Sequence, residues 1–307
     1  MSMRFGLLGT GPWAELTQAP ALAGHPGAEF VGVWGRDPAK ARRLAGLHAV
    51  RAYDDVDALI ADVDAVAVAL PPGVQAELAV RAAEAGRHLL LDKPLALTTE
   101  AADRVVAAAD AAGVASVIFF TNRFHADVAA FLDDAMADGA WDGARAVLFA
   151  SIFQPGNPFG GSPWRRDKGG LWDIGPHALS LLLPVLGPVT EVAALTGPRD
   201  TAHLLLRHLG GAASTLSVTL DAPPAASAHQ IEFHGERGLA TVPRGAGGQV
   251  EACAEAIGQL CRTAAAGRTG HPCDVRFGRE VVAILEAAES ARRDGRTARP
   301  LPAPPTG

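Results

Sequence analysis

Lysine is nearly missing from this chain, with 3 residues beside 24 arginines among 307. Cysteine is as sparse: Cys253, Cys261 and Cys273 form an odd set with no C-x-x-C spacing and no histidines at zinc-finger intervals. That pattern excludes a disulfide framework and a structural zinc site and leaves three reduced thiols. No stretch of about eighteen residues is uniformly apolar, and the start runs into a strand without a basic region ahead of an apolar signal core. The expectation is a soluble, cytoplasmic protein with no membrane partner. A net charge of −6 argues against general nucleic-acid binding, so any anion site is local. Among 10 histidines His203 and His208 lie five apart, and on an extended segment that spacing puts them on opposite faces, so no metal site is expected. Tyrosine occurs once, as Tyr53.

What is present is apolar and ordered. Hydrophobic residues make up 49% of the chain, and its length suggests two domains, each able to bury a core. Up to residue 120, apolar runs near 4–8, 29–34, 65–70, 88–92 and 115–120 alternate with helical segments, which predicts a doubly wound parallel sheet. Residues 121–307 read differently. A helix over 125–138 and a long strand over 144–154 precede a Gly- and Pro-rich loop over 155–170 and a helix from 178 to 186. Extended segments near 189–196, 202–209, 213–220, 229–234 and 238–242, with turn signals at Gly197-Pro198, Gly210-Gly211 and Pro223-Pro224, predict a mostly antiparallel sheet. Helices over 249–266 and 274–294 follow, and the tail after Arg299 is expected to fray. The fold class is therefore α/β, with a Rossmann domain over 1–120 and an α+β domain over 121–307 for substrate binding and oligomerisation.

The first strand leads into Gly9-Thr10-Gly11-Pro12-Trp13-Ala14, followed by a helix expected over 15–23. This is a G-x-G-x-x-A fingerprint between strand and helix. Gly9 permits the tight turn, Gly11 the close approach of backbone to a pyrophosphate, and Ala14 close packing of helix on strand. N–H groups at the helix start then face the phosphates. About twenty residues on, where such folds place an acid on the ribose, the next strand ends in Gly35-Arg36-Asp37-Pro38. Glycine leaves room for a 2′-phosphate and Arg36 offers a planar cationic fork, so NADP is expected over NAD. The alternatives are Arg36 as a plain turn residue and Asp37 turned toward a ribose.

Lys93 closes the apolar run His88-Leu89-Leu90-Leu91-Asp92-Lys93-Pro94. An ammonium shifts its pKa on burial and can trade a proton, which arginine cannot, so a lysine kept here reads as chemical, with a chance surface lysine as the plain alternative. Farther on, Gly169-Gly170-Leu171-Trp172-Asp173-Ile174-Gly175-Pro176-His177 meets a helical run. With Asp173 in or near the first turn, a spacing of four puts carboxylate and imidazole on one helix face, an arrangement suited to acid–base work near neutral pH. A capping aspartate and a half-buried structural histidine are the plain alternative.

The combination of the Gly9 to Ala14 turn, Asp92-Lys93-Pro94, Trp164-Arg165, and Gly169-Gly170 with Asp173-x-Gly175-x-His177 resembles the glucose-fructose oxidoreductase, inositol dehydrogenase and rhizopine-catabolism family (Gfo/Idh/MocA). The likeness runs to the closing Ser290-Ala291-Arg292-Arg293-Asp294-Gly295-Arg296. It implies an NAD(P)-dependent oxidoreductase with a Rossmann domain and an open-sheeted second domain, often paired between subunits as a homodimer or homotetramer, and an active site between domains. It also implies that Lys93, Asp173 and His177 are catalytic, with Asp92 standing in for the usual glutamate of a Glu-Lys-Pro turn. By the same likeness the cofactor meets Gly9, Thr10, Gly11, Pro12, Trp13, Gly35, Arg36, Leu70, Pro71, Gln75, Asp92, Lys93, Asn122, Trp164 and Arg165. A small-molecule substrate would meet Lys93, Arg123, Trp164, Asp173 and His177. Two departures bear on substrate contacts: Gln75 stands where the family commonly carries a histidine, and the tyrosine often seen in its last helix is absent. The loop over 165–169 also looks shorter than usual.

The activity implied is hydride transfer between a nicotinamide and a sugar, polyol or related hydroxy or carbonyl compound. Either Lys93 or His177 could be the proton donor. Rival readings are a reductase of a non-sugar, suggested by the apolar rim of Phe153, Phe159 and Trp164, and a cofactor-binding regulatory protein without turnover.

Overall fold

Met3–Leu8 (β1) is apolar on both faces, and Phe5, Leu7 and Leu8 bury completely, the pattern of a strand covered by helices on either side. The computed structural model describes residues 2–304. The chain forms two units, Met1–Phe124 with Gly247–Arg279, and His125–Ala246 with Glu280–Gly307.

In the first unit β2 (Ala28–Trp34), β3 (Arg51–Tyr53), β4 (Ala65–Val68), β5 (His88–Asp92) and β6 (Ser116–Phe119) join β1 in the all-parallel order β3-β2-β1-β4-β5-β6. This is the Rossmann order, with ligand sites beyond the carboxyl ends of its strands. Gly9 follows β1, Arg36 follows β2, Leu70 and Pro71 follow β4, and Lys93 follows β5. The helical stretch Ala14–Gln18 with Ala19–Gly24, and helices Pro38–Leu47, Val56–Ala61, Pro72–Glu84 and Thr99–Ala112, make the crossovers. The last has clear ends: Thr98 accepts from the Ala101 N–H at 3.1 Å, and Gly113 closes it in the left-handed region at φ 63°. Helix Gln249–Ala265 packs on β5 and β6 through Cys253, Ala256, Ile257 and Leu260, all fully buried. Burial raises the Cys253 thiol and pushes Cys273 up to about 11, so both are inert.

The second unit carries β7 (Trp141–Phe149), β8 (Val189–Thr196), β9 (Ala202–His208), β10 (Ala213–Thr219), β11 (Ala228–Gly235) and β12 (Gly238–Thr241) in the order β12-β11-β7-β10-β9-β8. Only β7 and β10 pair in parallel. β9 alternates cleanly: Ala202, Leu204, Leu206 and His208 point inward, and His203, Leu205 and Arg207 outward. Helices Pro163–Asp173 and Gly175–Leu186 cover one face against β7 and β10. On the opposite face Leu195 and Leu205 stand 72% and 53% exposed.

Several boundaries differ from the sequence reading. The strand expected over 144–154 spans 141–149. Ala150 and Ile152 still donate to the Thr219 and Leu220 carbonyls, and the chain then turns through Pro155 and Gly156, where φ is 84°. The loop expected over 155–170 becomes helical at Pro163, because proline in the first turn loses no helical bond, and Gly169 (φ 64°, ψ −162°) kinks that helix. The helix after the glycine turn widens to a π-turn over Ala14–Gln18 ahead of Pro20, which has no N–H to give and whose ring would clash with the carbonyl of residue 16. β3 was not expected; three residues carry too little pattern. Ala298 pairs with Val192 in both directions, which ties the tail at that point. Of the segment expected to fray, residues 305–307 lie outside the described residues. Among the described residues no helix is long and apolar enough to cross a membrane, and no three His, Cys, Asp or Glu side chains are grouped to hold a metal ion.

Candidate functional site

The glycine turn in the first unit is built as a phosphate cradle requires. Gly9 has φ 137°, and a Cβ there would lie 2.4 Å from the Ala69 carbonyl oxygen, so glycine is obligatory. At Gly11 a Cβ would meet nothing within 4 Å, and the residue is exposed, leaving the backbone open to an approaching group. Pro12 begins the helix, Ala14 is fully buried, and the half-buried Trp13 ring stacks on Phe119 with centroids 6.1 Å apart. These residues fit a dinucleotide pyrophosphate.

At the end of β2 the reason for glycine differs from the one read in the sequence. A Cβ on Gly35 would stand 2.5 Å from Thr10 Cγ2, so the space above it is filled by the Thr10 side chain. Asp37 caps helix Pro38–Leu47: its Oδ1 accepts from the Ala39 and Lys40 N–H groups at 3.0 and 3.3 Å. Arg36 is exposed and has no ion pair with a carboxylate among the described residues. The Asp-Pro step was the available signal for that cap, and the sequence reading passed over it.

The Lys93 turn has an unforeseen anchor. Gln75, 1% exposed in the first turn of helix Pro72–Glu84, donates from Nε2 to the carbonyls of Asp92 (2.7 Å), Pro94 (3.1 Å) and Leu95 (3.3 Å). Its Oε1 accepts the Asp92 N–H at 2.8 Å, and Asp92 Oδ1 accepts the Lys93 N–H at 2.8 Å. The Lys93–Pro94 peptide bond is cis. Leu70 and Pro71 are half-buried just upstream of that helix, and Asn122 and Arg123 lie in a 3-10 turn, Thr121–Phe124. Nearby in the same unit, burial first and then Arg123, Arg262 and Arg268 bring His271 down to about 4. Its Nδ1 accepts the Cys273 N–H at 3.0 Å, which fixes the neutral tautomer that donates to Gln259.

In the second unit Asp173 and His177 belong to different helices. Asp173 ends Pro163–Asp173, Ile174 (φ −109°) breaks the path, and His177 sits in the first turn of Gly175–Leu186, with Ser180 Oγ donating to its carbonyl at 2.8 Å. Asp173 therefore lies just ahead of the helix that carries His177, with Ile174 between them, and Gly169 only kinks the helix that Asp173 ends. Two expected site residues do meet. Arg165 Nε donates to Asp173 Oδ2 at 2.9 Å, and its guanidinium lies over the Phe159 and Trp164 rings at 5.4 and 5.0 Å. Arg166 covers Phe153 at 4.5 Å. The three aromatic rings of this rim each carry a guanidinium, so the segment is more cationic than its aromatic content suggested. Gly170 is required by contact, since a Cβ there would lie 2.8 Å from Thr219 Cα.

Residues 3–120 match a family model described as an oxidoreductase family with an NAD-binding Rossmann fold, and residues 143–241 match the GFO/IDH/MocA C-terminal domain. The chain is 32% identical over 230 residues, 71% of its own length and 70% of the relative's, to dTDP-3,4-didehydro-2,6-dideoxy-alpha-D-glucose 3-reductase of Streptomyces antibioticus. It is 28% identical to inositol 2-dehydrogenase of Rhizobium meliloti over 253 residues, 78% of this chain and 74% of that one. Among solved structures, the WlbA dehydrogenase of Bordetella pertussis in complex with NADH and UDP-GlcNAcA superposes with a TM-score of 0.84 at 25% identity, covering 98% of this chain and 99% of that one.

Proposed function

The chain belongs to the Gfo/Idh/MocA oxidoreductase family, and on that premise we propose an NADP-preferring dehydrogenase or reductase of a sugar, polyol or related hydroxy or carbonyl compound. When bound, the nicotinamide supplies or receives the hydride at the reacting carbon. Lys93 hydrogen-bonds the substrate oxygen and stabilises negative charge as it develops there. His177 takes the hydroxyl proton in oxidation and returns it in reduction, and Asp173, its charge balanced by Arg165, orients the substrate or the imidazole.

The observation that carries the reading is that the glycine turn after β1 and the Lys93 turn after β5 share the carboxyl edge of one parallel sheet. The sugar and cyclitol named for the relatives support the substrate class. The NADP preference draws on Asp37, committed to capping a helix, and on the exposed Arg36 beside it. In functional terms, residues 1–120 supply most of the cofactor contacts together with Lys93, and residues 121–307 most of the substrate contacts. Leu195 and Leu205, exposed on the open sheet face, support pairing of copies into a homodimer or homotetramer.

The test is a pair of fluorescence titrations with NADPH and NADH, followed by a turnover screen of sugar and polyol substrates with the preferred cofactor. Tighter NADPH binding and turnover of a sugar-class carbonyl or alcohol are expected. Equal or tighter NADH binding overturns the preference, and binding of neither overturns the enzymatic reading.

A further inference from the structure

We infer that Gln75 is a positioning residue for Lys93: its amide sets the backbone of the 92–95 turn and thereby the place from which the ammonium reaches the reacting oxygen. The inference rests on the catalytic role proposed for Lys93.

β5 ends at Asp92, and from there to Leu95 the chain has neither ladder nor helix to fix it. Pro94 and Leu95 are buried, so their carbonyls need partners away from water. One side chain supplies them. Gln75 gives two N–H groups to three carbonyl oxygens and takes the Asp92 N–H in return, so four backbone groups spanning four residues close on a single amide. That amide is itself fixed, since Gln75 is 1% exposed and its own N–H donates to the Pro71 carbonyl at 3.0 Å within the first helical turn. With both ends of the amide bonded to the main chain, Gln75 acts through the turn and not as a cofactor contact. No other residue type matches the set. Glutamate would bring an oxygen against three carbonyl oxygens, and leucine would strip all four groups of their partner.

Lysine scarcity makes the effect readable without a known substrate. Lys40, Lys93 and Lys168 are the only lysines, so competitive acetylation with acetic anhydride, read by mass spectrometry, reports Lys93 against two internal references. Gln75→Glu is the first variant. Gln75→Asn, which withdraws the same amide by one methylene, is the second and decides the matter if Gln75→Glu is not recovered folded. Thermal melts and NADPH titration establish that each variant is folded.

The expected result is at least a threefold change in Lys93 acetylation relative to Lys40 and Lys168, whose ratio to each other stays constant. With a substrate from the screen, kcat should fall about 10- to 100-fold with KM within threefold, as misplacement of a catalytic group by an ångström or less costs on that order. Lys93 acetylation and kcat both within twofold of the parent in a folded variant would overturn the inference. Lys93→Met run in parallel separates the two ideas. An inactive Lys93→Met beside a normal Gln75→Glu discards the positioning role alone. An active Lys93→Met discards the catalytic reading of Lys93, while the acetylation ratio still decides whether Gln75 sets its position.

Discussion

Arg165 Nε lies 2.9 Å from Asp173 Oδ2, with the two side chains only 18% and 7% exposed. Removing one partner of such a pair leaves the other charge buried without its counterion. Arg165→Met should therefore cost about 3–5 kcal/mol of stability, measured from urea unfolding. A loss below about 1 kcal/mol would show that the carboxylate is held well enough by other groups.

His177→Asn should lower kcat by about 10²-fold or more in steady-state assays, with cofactor affinity unchanged, the usual effect of losing an acid–base group. Near-normal turnover removes His177 from the mechanism.

Arg36→Ala should weaken NADPH binding about 10-fold or more and leave NADH binding within about twofold, since the lost contact is a charge-assisted hydrogen bond to a phosphate absent from NADH. Equal losses for the two cofactors would place Arg36 elsewhere than at the 2′-position.

His271 gives a pH dependence of defined sign. Its folded pKa, about 4, lies below the unfolded value near 6.5. The unfolded chain thus binds more protons between those limits, and the stability this group contributes is whole above about pH 6.5 and is lost as pH falls toward 4. Burial lowers His88, His208 and His229 as well and adds to the trend. Melting temperature should drop from pH 7 to pH 5, and less steeply in His271→Gln; parallel slopes would refute the assignment.

Two glycines should respond oppositely to alanine. At Gly170 the new methyl would meet Thr219 backbone at 2.8 to 3.1 Å, an overpacking expected to cost about 1–3 kcal/mol. At Gly46, inside helix Pro38–Leu47, nothing lies within 4 Å, and alanine should stabilise by about 0.4–1 kcal/mol. Thermal or urea unfolding of both variants checks the pair, and a neutral Gly170→Ala would contradict the contact.

Features that depend on local pattern were legible in the sequence. β1, β2, β4, β5 and β6 announced themselves as short apolar runs, β8 to β12 by extended segments between turn signals, and the Gly9 turn by its place between strand and helix. What stayed hidden depends on which distant atoms meet. Gln75 is 17 residues from Asp92, and nothing in either segment says that the amide closes on that turn. Gly35 drew the right attention for an incomplete reason, because its neighbour Thr10 comes from another strand–helix turn. The break at Ile174 that puts Asp173 and His177 in successive helices was equally hidden, since a spacing of four says nothing of a change of path between them.

The return of residues 247–279 to the first unit has a consequence for biosynthesis. Cys253, Ala256, Ile257 and Leu260 fill the space against β5 and β6, yet they leave the ribosome more than a hundred residues after β6. Until then the nascent nucleotide-binding half presents bare apolar strand faces, and the whole of β7 to β12 is synthesised while that half waits for its last helix.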